Sequence, residues 1–322
     1  MPGSSILADF FWIAVAASLL AVSANFVVDA AVGLASRLRV SELVIGLTVV
    51  AAGTSAPEFG VTIVAALEGQ NEISVGNVVG SNIFNLGFIL GGAALIGTIP
   101  SSRQLVGRDA AVLVGSSVLL LLLVGFDLRL SHWDGLILVL GLAAYLRFVW
   151  VSRSARETVS SPPTTSCSAP ETVLRTGRNL VLALAGVGFS SHLLILSATS
   201  VALELGLSEW LVAVTIVAAG TSVPEMATTL VGLARRHHAV GVGNLIGSDL
   251  FNLLGVLGVA GLIQSMELSA GARGSLIALT GMSVLVLLFL RSGWRITRWE
   301  GLALVGLGAL RWFLDFSPLA LG

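Results

Sequence analysis

The chain contains no lysine, so all seventeen of its basic residues are arginines, set against eighteen acidic ones. Charge of either sign is scarce, at 11% of 322 residues. The net charge of −1 gives no sign of a nucleic-acid partner, and none is expected. A single cysteine, Cys167, lies in a polar stretch, which excludes an internal disulfide framework and a thiolate metal cluster. It reads as a free thiol without a role. The N-terminus has no basic segment ahead of its apolar stretch, which runs on to about Ala35, so it reads as a retained first span and not as a cleaved signal. What the chain has in quantity is hydrophobic residues, at 55%. They fall in runs of about 20, the length that crosses a hydrocarbon core. The expected fold class is an all-α polytopic membrane protein, with the lipid bilayer as its first partner.

Ten transmembrane helices account for the apolar runs, near 8–35, 42–67, 73–97, 109–126, 131–151, 178–203, 209–234, 240–263, 274–291 and 299–314. Between the fifth and sixth, residues 152–176 include SSPPTTSCSAP and are too polar to cross. This divides the chain into a first five-helix repeat at 1–151, a cytoplasmic linker at 152–176 and a second five-helix repeat at 177–322. With the N-terminus outside, only Arg129, Arg273 and Arg311 fall outside and the other fourteen arginines fall on the cytoplasmic side. That asymmetry favours ten spans with the N- and C-termini outside. Because five spans separate the halves, the second enters the membrane in the opposite sense, as in the inverted repeats of secondary transporters.

The halves share a core motif. Residues 51–85 open with AAGTSAPE and close with GNVVGSNIFN, and residues 218–252 open with AAGTSVPE and close with GNLIGSDLFN, displaced by 167 positions without a gap. Upstream, VSELVIGLTVV matches LSEWLVAVTIV, with Ser41 and Ser208 placed as N-caps and Glu42 and Glu209 in the first turn, where a carboxylate complements the helix dipole. Pro57 and Pro224 have no N–H to give the carbonyls of Gly53 and Gly220, so each helix should break there. Freed carbonyls at membrane depth are tolerated only within protein or against a hydrated cavity. Ala51, Thr54, Ser55 and Glu58 lie at helical spacings that converge on one side. Asn77, Ser81 and Asn85 form a stripe at i, i+4 and i+8 on the next span. The second half repeats these as Ala218, Thr221, Ser222, Glu225, Asn244, Ser248 and Asn252. An inventory of oxygens with two carboxylates suits calcium or sodium better than a softer metal. Intramembrane carboxylates at equivalent places mark function.

Other features have plainer readings. Gly76 to Gly80 and Gly243 to Gly247 have the small-xxx-small spacing of helix contacts. Asn77 and Asn244 fit interhelical hydrogen bonding as well as ion binding. Asp249, one residue past Ser248 and with Asn82 as its counterpart, fits a supporting or access role. Asp29 has Leu196 as its counterpart and belongs to no duplicated site. Arg235 to His238 read as a solvated basic turn.

The paired GTS-x-PE and GN-xx-GS-xxxN blocks, in inverted halves, resemble the alpha repeats of the cation/calcium exchanger superfamily, in its sodium/calcium exchanger branch and prokaryotic type. The resemblance covers nearly the whole chain. It implies a secondary active antiporter, not an enzyme, that exchanges sodium for calcium by alternating access, spans 1 and 6 moving against a core of spans 2, 3, 7 and 8. The implied metal ligands are Ala51, Thr54, Ser55, Glu58, Ser81, Asn85, Ala218, Thr221, Ser222, Glu225, Ser248 and Asn252, with Glu58 and Glu225 facing each other as the central acids. Sodium and calcium are cargo, and no cofactor is implied. Asn252 stands where some members carry aspartate, leaving two acids, which argues against potassium dependence. The short linker has no room for calcium-sensing domains and suggests the plasma (inner) membrane of a prokaryote.

The nearest rival is a calcium/proton antiporter in which the two glutamates take up protons. A cation channel fits less well, because channels favour rings of equivalent groups from several subunits. An intramembrane enzyme fits least, since His132 and His192 sit near span ends without catalytic partners.

Overall fold

The computed structural model describes residues 6–152, 172–205 and 218–315. Cys167, Ser208, Glu209, the first part of the expected seventh span and residues 153–171 of the 152–176 linker lie outside the described residues. The described helices are α1 (Ile6–Leu38), α2 (Glu42–Thr54), α3 (Ala56–Leu67), α4 (Asn71–Ile96), α5 (Leu105–Val124), α6 (His132–Ser152), α7 (Val173–Glu204), α8 (Val223–Ala234), α9 (His238–Ile263), α10 (Ala270–Gly293) and α11 (Arg298–Asp315). Seven of them are long and apolar enough to cross a membrane as single helices, which makes the protein an all-helical, multi-pass membrane protein. The expected span at 42–67 is broken into α2 and α3. Helix α7 begins five residues ahead of its expected start at 178, where the Thr172 hydroxyl accepts from Arg175 N at 3.3 Å and caps it.

The helices form two compact units, and each unit draws on both halves of the sequence. The first holds Met1–Thr54 and Tyr145–Asn244. Here α1 and α7 pack along one another through buried Ala24, Val27, Val28 and Ala31 of α1 and Leu180, Ala183 and Val187 of α7. They approach closely because Gly186 has no side chain, since a Cβ there would meet Ser23 Oγ at 2.8 Å. Helix α2 starts at Ser41, whose hydroxyl accepts from Val44 N at 3.3 Å, as an N-cap should. Asp29 of α1 receives Arg235 from the α8–α9 turn at 2.5 Å, and His237 of the same turn lies 3.2 Å from Glu42. The Arg235 to His238 turn therefore docks on α1 and α2, where the sequence had suggested only a solvated basic turn.

The second unit holds Ser55–Ala144 and Leu245–Gly322. Two ribbons lie within it, β1 (Ile99–Pro100) antiparallel to β4 (Arg295–Ile296) and β2 (Arg129–Leu130) antiparallel to β3 (Met266–Glu267). Capping boxes start α6 and α11. Asp134 Oδ2 accepts from Ser131 N at 2.8 Å, and Glu300 Oε2 accepts from Thr297 N at 2.7 Å. Ser131 and Thr297 are 166 positions apart, one short of the core displacement, so the duplication continues downstream past a single-residue gap. Three more pairs obey the two offsets. The hydroxyls of Ser117 and Ser283, equivalent at 166, meet each other at 3.1 Å between α5 and α10. On α4 and α11, a Cβ at Gly91 would meet the Gly301 carbonyl at 3.0 Å, and on α6 and α9, a Cβ at Gly135 would meet that of Gly258 at 2.7 Å. These are the close helix contacts. Among the described residues nothing lies beside the exposed Gly76 and Gly80, so the packing role expected for that pair is not found there, whereas Gly243 does pack against Leu43.

Candidate cation site

Both copies of the motif break their helix at the expected place, and they do it with the same local geometry. Ser55 (φ −77°, ψ 7°) and Ser222 (φ −86°, ψ 4°) each leave the helical path and act as the first flanking residue of a new helix, with Pro57 and Pro224 in its opening turn. Proline suits that position because the N–H it lacks would have had no intrahelical partner there. The new helices are sealed by Phe59 N donating to the Ser55 carbonyl and Met226 N to that of Ser222, both at 3.0 Å. Glu58 and Glu225 thus sit in the first turn of α3 and α8, where the unpaired N–H groups of the helix start favour negative charge.

Within the first unit are Ala51, Thr54, Ala218, Thr221, Ser222 and Glu225. Ala218 belongs to the short helical piece Ala218–Gly220, while Ala51, Thr54, Thr221, Ser222 and Glu225 are buried, Glu225 completely. The Thr54 hydroxyl lies 3.0 Å from Asn244 Oδ1 and 3.3 Å from the Ala51 carbonyl, and can donate to one of them at a time. Asn244 in turn donates from Nδ2 to Thr229 Oγ1 at 3.4 Å, and Thr229 donates to the Gly241 carbonyl at 3.2 Å, which locks α8 to α9. Gly220 and Gly53 both lie flush on α7: a Cβ would meet Ile195 at 2.6 Å and Leu184 at 2.4 Å.

The second unit carries Ser55, Glu58, Ser81, Asn85, Ser248 and Asn252. All six are buried, with 2% exposure or less. Asn77 locks α3 to α4 by donating to Thr62 Oγ1 at 3.0 Å and to the Glu58 carbonyl at 3.3 Å. Both Asn77 and Asn244 are therefore engaged as interhelical ties. Ser81 donates back to the Val78 carbonyl at 3.1 Å, which leaves its lone pairs open as acceptors. Asn85 donates from Nδ2 to Asp249 Oδ1 at 2.9 Å, and Asn252 donates from Nδ2 to Asn82 Oδ1 at 3.2 Å. Neither asparagine's Oδ1 meets a hydrogen-bond donor among the described residues. Burying an amide oxygen without a partner costs about 1–3 kcal/mol, so an oxygen held this way at two equivalent places is an acceptor kept for something else. Wide helical turns with π-type bonding run through Asn85–Leu90 and Phe251–Val256, a form common at functional sites.

Comparison with known proteins gives the same family as the motifs. The family model described as sodium/calcium exchanger protein matches residues 9–151 and 179–310, most of the chain. The chain belongs to the sodium/calcium exchanger protein family. CaxA of Alkalimonas amylolytica is 35% identical over 295 residues, covering 89% of this chain and 92% of that protein. The sodium/calcium exchanger MaX1 of Methanosarcina acetivorans is 28% identical, covering 93% and 96%. Among solved structures, one of the sodium-calcium exchanger NCX_Mj superposes with a TM-score of 0.81 at 28% identity, covering 97% of this chain and all of that one.

Two further pairs of residues in this exchanger-family chain bear on the site, and the first of them escapes the sequence reading. Thr62 and Thr229 are fully buried, and each holds the asparagine that ties its hairpin. Their signal was present: they lie four residues after each glutamate, on the same helix face, and are identical in the two copies. Asn82 and Asp249 are also fully buried. Asp249 had been read as supporting. The structure makes it a fully buried acid bonded to Asn85 of the candidate site, besides the two glutamates that the sequence counts.

Proposed function

We propose that the protein is a secondary antiporter that exchanges sodium for calcium across a prokaryotic plasma membrane by alternating access. The twelve residues from Ala51 to Asn252 named above are its ion ligands. The observation that carries this reading is the pair of buried, donor-free amide oxygens at Asn85 and Asn252, set on the helices that also carry Ser81 and Ser248. Hard oxygen donors of this kind replace water around calcium or sodium. Glu58 and Glu225 supply two negative charges, which balance one calcium or, with the neutral oxygens, accommodate sodium instead. Competition for the same oxygens makes transport an exchange, and it involves no covalent chemistry.

The same reading takes the eleven helices, with α2 and α3 as one broken span, as ten crossings with both termini outside, in two five-helix repeats joined at 152–176. The ribbons support it. In that arrangement the loops carrying β1 and β4 both face the cytoplasm and those carrying β2 and β3 both face outward, and these are the loops that pair.

The deciding experiment is calcium uptake into proteoliposomes of the purified protein, free of potassium, with an outward sodium gradient in one set and an outward proton gradient in another. Sodium-driven uptake that is lost in Glu58→Gln and Glu225→Gln is the expected result. Uptake driven by protons alone would move the protein to a calcium/proton antiporter, the reading that the buried acid at Asp249 favours. Uptake that survives both glutamine substitutions would remove the ligand assignment.

A further inference from the structure

The two amides at the candidate site are oriented by one residue. Asn85 and Asn252 are equivalent under the 167-residue displacement, and so are Asn82 and Asp249. The hydrogen bonds obey the same relation. Residue 85 donates to the side chain of residue 249, and residue 252 donates to the side chain of residue 82, at 2.9 and 3.2 Å. The four side chains are fully buried within one compact unit. Only the chemistry differs, because one copy has asparagine where the other has aspartate.

For Asn85 that difference fixes direction. An asparagine amide can present either its oxygen or its nitrogen to a site, and its partner decides which. A carboxylate only accepts, so Asp249 Oδ1 takes the Asn85 nitrogen and turns the Asn85 oxygen away from itself. The main-chain carbonyl of Asp249 also only accepts, and it takes the Asn82 nitrogen at 3.0 Å. Asn82 is then left with its oxygen facing Asn252, whose nitrogen it receives. Both unpartnered oxygens, on Asn85 and Asn252, follow from Asp249. With asparagine at position 249 the Asn85 pair could turn over with no loss in the number of hydrogen bonds, and the turned-over form would aim the Asn85 N–H at a cation, while Asn82 and Asn252 stay held by the main-chain carbonyl of residue 249.

The geometry points to Asp249 as a positioning residue for cation binding, which holds the two ligand amides with their oxygens toward calcium or sodium, directly for Asn85 and through Asn82 for Asn252. This inference rests on the reading that Asn85 and Asn252 are ion ligands. If a fraction of the protein holds an amide the wrong way round, apparent affinity falls by that fraction while the loaded protein turns over normally.

The test is calcium binding to the purified, detergent-solubilised protein by calorimetric titration, with the thermal midpoint as a fold check and maximal exchange rate in proteoliposomes as a second readout. Asp249→Asn lets Asn85 occupy both orientations about equally and is expected to weaken calcium by about twofold or more, with the maximal rate changed less than about twofold. Asn82→Ala keeps the acid and its charge but frees Asn252, and it should weaken calcium as well, which a purely electrostatic role for Asp249 does not predict. Asn85→Ala and Asn252→Ala serve as controls for the underlying reading. If they bind calcium as the parent does, the ligand assignment fails. If they lose affinity while Asp249→Asn and Asn82→Ala do not, the assignment stands and the positioning role is overturned.

Discussion

Thr62 and Thr229 occupy equivalent places, and replacing each by valine removes one hydroxyl without changing shape. The structure makes the two costs unequal. Asn244 is fully buried, and Thr229 Oγ1 at 3.4 Å is the acceptor that its amide nitrogen has among the described residues. Thr229→Val leaves that nitrogen unsatisfied, a loss of about 1–3 kcal/mol, and the length of the bond puts it in the lower half of that range. Asn77 is half-buried and has a second acceptor in the Glu58 carbonyl at 3.3 Å, so Thr62→Val should cost well under about 1 kcal/mol. The assay is the thermal midpoint of the purified protein in detergent, with both variants and the parent measured side by side in calcium-free buffer. Thr229→Val should melt several degrees below the parent and Thr62→Val close to it. Equal shifts, or a larger one for Thr62→Val, would refute the argument that the bonds of the Thr229 hydroxyl, to the Asn244 nitrogen and to the Gly241 carbonyl, set the cost.

Three further outcomes are expected. Asn85→Ala and Asn252→Ala each remove one oxygen from a cation, an interaction of about 1.5–3 kcal/mol, so each should raise the calcium concentration for half-maximal uptake by about tenfold or more in a transport titration. Arg236 sits at φ 65° in the α8–α9 turn, where the equivalent residue of the α3–α4 turn is Gly69 at φ 72°, and Arg236→Gly should stabilise the protein by about 1 kcal/mol in a thermal melt. Gly220→Ala drives a methyl to 2.6 Å from Ile195 and should destabilise by about 1–3 kcal/mol, while Gly76→Ala, which meets open space, should melt within about a degree of the parent.

The helix break at Ser55 and Ser222 was legible because proline acts on the backbone locally, and the buried acids at Glu58 and Glu225 because desolvating a charge is costly wherever the helix lies. The polar stripe through Ser81 and Asn85 was legible from spacing alone. Periodicity could not show what crosses between helices. The bond from Asn85 to Asp249 spans 164 positions and depends on how α4 and α9 are rotated against each other, which a face-by-face count of one helix leaves open. The same limit explains Gly76 and Gly80. Their spacing permits a close contact, but the glycines that make contacts on α4 are Gly87 and Gly91, against α11. The downstream half of the duplication escaped for a simpler reason, since the offset falls from 167 to 166 and an ungapped comparison loses register before it reaches Ser131 and Thr297.

The two ribbons have a consequence for origin. Strand β1 of the first half is the counterpart of β3 in the second, and β2 is the counterpart of β4, yet β1 pairs with β4 and β2 with β3. No half completes a ribbon from its own strands. In the proposed reading of two inverted halves, either half alone would carry two unmatched edges that a turned-over copy would satisfy at once in a closed, self-complementary pair, and the halves expressed as separate polypeptides should re-associate through those four short strands.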